Sequence, residues 1–104
     1  MAFSPLGSIV TQSVTGTAGG IGAANIPDNA EYAEGFVRTA PVVFSTDGAT
    51  TPTSTKGTVA NQGDIIVLRG RQEIKNFSAV REGGTSASID WEFYTAVPSM
   101  TVAV

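Results

Sequence analysis

The sequence predicts an all-β fold, a small β-sandwich or barrel of the Ig-like or jelly-roll-like kind with an extended N-terminal arm. Three observations carry this. Runs of β-branched and aromatic residues recur at short spacing, Gly, Asp and Asn turn signals separate them, and no long amphipathic helical period interrupts them. The strand order is not encoded in these local signals.

Taken in order, the elements begin after Pro27, where Asp28-Asn29 is a turn. Residues 31 to 38 alternate small or apolar with larger polar residues and are expected to form a strand. A helix over 30 to 38, capped by Asp28 or Asn29, is the alternative. Gly35 in mid-segment and the β-branched and aromatic residues weigh against it. Residues 41 to 45 make a second strand, with Pro41 at its first position, where a missing N–H does least harm. Asp47-Gly48 opens a polar loop through Gly57, and residues 58 to 60 add a short strand before the turn at 61 to 64. The continuous apolar run Ile65-Ile66-Val67-Leu68 is expected to be a central strand covered on both faces. Residues 71 to 76 are one turn of helix or an edge segment, residues 77 to 81 are extended, and Glu82 to Ser86 is expected to be a hairpin turn. In the last strand Ala87, Ile89, Trp91 and Phe93 share one face and Ser88, Asp90, Glu92 and Tyr94 the other, which sends the single tryptophan inward.

Charge divides the chain into three parts. All 15 charged residues, 6 basic and 9 acidic, lie between Asp28 and Glu92. Residues 1 to 27 therefore form an uncharged arm, 28 to 95 the sandwich, and 96 to 104 a second uncharged contact segment. A solvated tail ordinarily carries charge or proline, whereas this arm scatters Phe3, Leu6, Ile9, Val10, Val14, Ile21 and Ile26 among small polar residues. These seven are the candidate partner-binding residues. On this reading the independent core comes from roughly seventy residues and is marginal, so self-association or docking would stabilise it. Removing the arm is expected to leave a folded β-rich domain.

Composition also excludes classes of function. A net charge of −3 argues against a nucleic-acid partner, whose binding rests on phosphate neutralisation. Without cysteine or histidine there is neither a disulfide framework nor a zinc site nor a Ser/His/Asp or Cys/His pair, and the chain reads as made in a reducing cytoplasm. The N-terminus lacks the pattern of a signal peptide, and no apolar stretch is long enough for a membrane span. The chain is expected to be non-enzymatic, with no cofactor, no metal and no membrane partner.

Individual motifs fit the same picture. Gly16 to Gly22 matches a phosphate-cradling loop in glycine content alone, because neither flank fits the buried strand and helix N-terminus that such a loop needs; it is read as a flexible or extended arm whose backbone closely approaches a partner. Asp90 and Glu92 are read as cross-strand partners of a basic residue such as Arg81 on the hairpin neighbour, rather than as an acid/base pair. Asp47 is read as an Asx turn in preference to a calcium ligand. Tyr32 and Tyr94 are candidate surface aromatics for a sugar.

The segments Thr39 to Gly48, Pro52-Thr53, Gly63 to Leu68, Glu73 to Arg81 and Gly84 to Ala87 together resemble small structural proteins of tailed bacteriophages. The resemblance runs from Arg38 to Tyr94, a little over half of the chain, and leaves the arm outside it. It implies a virion component made in the bacterial host cytoplasm, a capsid decoration or cement protein on the capsid surface. The implied partners are the major capsid protein and further copies of the chain, with shell symmetry suggesting a trimer. A tail or baseplate adaptor, or a fibre module binding host glycans through Tyr32, Tyr94 and the Thr-rich 50 to 55 loop, is the alternative.

Overall fold

The computed structural model describes residues 2–97, which form two antiparallel sheets packed face to face. The strands are β1 (Ala2–Val14), β2 (Tyr32–Arg38), β3 (Val42–Ser45), β4 (Thr58–Ala60), β5 (Ile65–Arg69), β6 (Ser78–Arg81) and β7 (Ala87–Val97), with one short α-helix, α1 (Arg71–Asn76), and a single turn of 3-10 helix at Ala23–Asn25. One sheet has the order β1-β7-β2-β5 and the other β4-β3-β6. The expected β-sandwich is present.

Alternation builds the interior. Ala87, Ile89, Trp91 and Phe93 of β7 are buried, as are Ala33, Gly35 and Val37 of β2. Trp91 is fully enclosed, with Phe77 edge-on to its ring at 4.8 Å and Phe44 against Phe77 at 5.5 Å. Gly35 pairs with Trp91 across β2 and β7, and a Cβ there would fall 2.6 Å from Trp91 Cζ3 and 2.7 Å from Ile89 Cγ2. The absent side chain is the space that the indole occupies.

Residues 2 to 14 are the first strand of the larger sheet. Leu6, Val10, Gln12 and Val14 pair with the inward residues of β7, and two extra residues between Leu6 and Val10 form a bulge at Gly7, whose φ is +69°. The chain then crosses to the other sheet and runs beside β6. Thr15 O accepts the Arg81 N–H at 2.9 Å, and Gly19 exchanges two backbone bonds with Ala79 at 3.0 and 2.9 Å. The close backbone approach expected of the glycine-rich segment is thus made to its own domain: a Cβ on Gly20 would lie 2.8 Å from Phe77 O.

Three local expectations are corrected. The run from Ile65 to Leu68 is the edge strand β5, in which Ile66 and Leu68 are buried while Ile65 and Val67 are exposed; the run alternates like any strand with one covered face. Glu82 to Ser86 is not a hairpin turn, because β6 and β7 belong to different sheets and this segment carries the chain from one to the other. Asp90 therefore pairs with Arg38 on β2 rather than with Arg81, which reaches Ser86 instead. Of the two options for residues 71 to 76, the helix forms, packing Ile74 into the interior. Residues 96 and 97 end β7, and the rest of the expected C-terminal contact segment, residues 98 to 104, lies outside the described residues.

Candidate interaction surface

The outward residues of the larger sheet fall into rows set by strand register. Arg69, Tyr32 and Tyr94 form one row across β5, β2 and β7, Val67, Glu34 and Glu92 the next, and Ile65, Phe36, Asp90 and Thr11 the third, the last reaching β1. Phenols, carboxylates and apolar side chains thus share one face.

Each phenol donates to a carboxylate two residues along its own strand, Tyr32 Oη to Glu34 Oε2 and Tyr94 Oη to Glu92 Oε1, both at 2.9 Å. The two rings meet edge to face at 5.6 Å. Donation to a carboxylate favours the protonated phenol, which raises the Tyr32 pKa and pushes that of Tyr94 up to about 12. In the third row Thr11 Oγ1 donates to Asp90 at 2.8 Å and Arg38 closes an ion pair on the other carboxylate oxygen. The Thr11 hydrogen bond first, and then the Arg38 guanidinium, hold the Asp90 carboxyl below its ordinary range. The same guanidinium lies over the Phe36 ring, 5.1 Å from its centroid.

A shallow depression of about 240 Å³ opens among Ile9, Phe36, Ile65, Glu34, Asp90 and neighbouring charges. Of the five large hydrophobics exposed among the described residues, Ile9, Phe36, Ile65 and Val67 lie on this side of the molecule, and Val59 on β4 is the fifth. An apolar patch ringed by fixed charges and phenol–carboxylate pairs suits docking on another macromolecular surface.

The structure separates the seven candidate arm residues. Ile9, on the bulge, is 62% exposed and reaches this face. Leu6, Val10 and Ile26 are partly buried against the core, and Val14 and Ile21 are inside it. Phe3 is paired with Ala96 along the backbone of β1. Sequence reasoning missed Phe36, Ile65 and Val67 as surface residues; the signal available for them was their alternation with Ala33, Gly35 and Val37 and with Ile66 and Leu68.

Elsewhere, Asp47 folds its carboxylate over its own loop, accepting from the Ala49 and Thr50 N–H groups at 2.9 and 2.8 Å and from Thr50 Oγ1 at 2.7 Å. This is the Asx geometry expected there. Among the described residues no group of three or more acidic, histidine or cysteine side chains converges as a metal site, and no helix is long and apolar enough to cross a membrane. Comparison with protein-family models, curated proteins and solved structures gives no match.

Proposed function

We propose that the chain is a non-enzymatic virion structural protein, a decoration or cement protein that attaches to the phage capsid surface as a homo-oligomer. The observation that supports it is the outer face of the larger sheet, where Ile9, Phe36 and Ile65 stand exposed around a depression edged by Glu34, Arg38 and Asp90. The resemblance of residues 38 to 94 to phage structural proteins supplies the kind of partner, the major capsid protein. A cement protein needs no catalytic group. It needs a folded body and a surface that gains by being covered.

Quantitative mass spectrometry of purified particles, scaling this chain against the major capsid protein, tests the assignment. A ratio near one or a simple fraction of it is expected. Ile9→Asp and Phe36→Asp, both at exposed positions, are expected to abolish binding to undecorated particles while leaving the fold intact. A trace ratio would instead support a tail or fibre component. The edge-to-face Tyr32–Tyr94 pair beside Glu34 and Glu92 favours a host glycan as ligand in that case, because it offers a ring surface next to hydrogen-bond acceptors. A glycan array reads that alternative directly.

A further inference from the structure

We infer that β5 is an open sheet edge through which two copies of this chain pair antiparallel, joining their four-stranded sheets into one. This pairing does not rest on the capsid reading. Along the β2–β5 ladder, Gly70 donates to Glu31 O at 2.8 Å and Val37 donates to Asp64 O at 3.0 Å. Antiparallel alternation then turns the N–H and C=O groups of Ile66 and Leu68 toward β2 and those of Ile65 and Val67 away from it. Among the described residues no hydrogen-bond partner meets these outward groups.

The other sheet edges are blunted. β1 carries Pro5, which has no N–H, and the bulge at Gly7; β6 is covered by Thr15 and Gly19; β4 is only three residues long. β5 has no proline, glycine or bulge, and its outward side chains Ile65 and Val67 are 60% and 38% exposed. A bare edge with apolar side chains is a template for another strand.

The edge is complementary to itself. Setting Ile65 opposite Val67 of the second copy, and Val67 opposite its Ile65, satisfies all four outward N–H groups around a two-fold axis at Ile66 and stacks apolar on apolar twice. The Arg69 N–H stays on its own Glu73 carboxylate, 2.8 Å away. Each Arg69 is carried opposite Gly63 of the other strand, where glycine presents no side chain to clash with it. A groove of about 290 Å³ between β5 and β4 flanks the contact and brings in Val59, the remaining exposed large apolar residue. A two-fold contact makes an even-numbered assembly, in place of the trimer that shell symmetry suggests.

Sedimentation velocity of the full chain, with amide hydrogen exchange on the same samples, tests the pairing. A two-chain species is expected, whose Ile65 and Val67 amides exchange at least about tenfold more slowly when concentrated than when diluted, with Ile66 and Leu68 protected in both. Val67→Lys is expected to return a monomer with unchanged Trp91 emission. Should that variant fail to fold, exchange in the wild-type chain still decides. A wild-type monomer at about 1 mM, a three-chain species, a dimer that survives Val67→Lys, or Ile65 and Val67 amides indifferent to concentration would each overturn the inference.

Discussion

Trp91 donates its indole N–H to Gln12 Oε1 at 2.8 Å, and Gln12 Nε2 passes the chain on to Gly19 O at 3.1 Å. Gln12 is the only polar side chain buried among the described residues, and both ends of its amide are used. Gly19 O also accepts from Ala79 at 2.9 Å, so a Gln12→Leu substitution would orphan the indole N–H alone. An unpaired buried donor costs about 1 to 3 kcal/mol, and a lower urea midpoint by that amount is expected. An unchanged midpoint would mean that the indole finds another acceptor. Trp91 was legible in the sequence, because strict alternation in β7 sends it inward. Gln12 was legible only as a residue of the same parity as Val10 and Val14, and its polarity pointed the other way. What reverses the expectation is an acceptor requirement set by a tryptophan 79 residues distant.

At the scale of elements, β2, β3, β4 and β7 follow from local pattern, whereas β5 shows what pattern leaves open. Four apolar residues in a row are compatible with a strand covered twice or with an edge strand showing two of them to solvent, and only its neighbours decide. The loop between β3 and β4 is held from within. Hydrogen bonds from Thr50, by side chain and then backbone, and from the Ala49 N–H hold the Asp47 carboxyl at about 2, below the ordinary 3.8. A depressed carboxyl pKa contributes stability that is present above the unfolded value and lost as pH falls through the folded one. The melting temperature of the wild-type chain is therefore expected to exceed that of Asp47→Asn above pH about 4 and to converge on it toward pH about 2. A gap that stays at its full size down to pH 2 would show that the charge on Asp47 is not its source.

Across the whole molecule, four of the six connections between consecutive strands change sheet, namely β2 to β3, β4 to β5, β5 to β6 and β6 to β7. The two layers are laced together by the chain, and the N-terminal segment is one of the laces. It lays β1 on β7, places Gln12 on Trp91, then covers the edge of β6. Removal of residues 2 to 14 is therefore expected to unfold the domain, not to release an appendage from it. It would bare the edge of β7, empty the Val14 site and unpair the indole. Trp91 emission shifted to the red, with loss of the cooperative thermal transition, checks this; a blue emission maximum and native melting would show that residues 15 to 97 fold alone. Point substitutions at Ile9 or Phe36 are accordingly the cleaner probes of binding.

By itself the sequence determined the β class, most strand positions and the inward face of β7, because side-chain alternation and turn chemistry act over a few residues. It also determined that the first 27 residues carry no charge. Tertiary structure decided where that uncharged segment goes. Val14 and Ile21 fill the interior between the sheets, Ile9 is lifted out by a bulge, and β5 is left with an unpaired edge. Composition registers that apolar side chains need covering, but what covers them depends on which strands become neighbours, and that is settled by contacts between residues far apart along the chain.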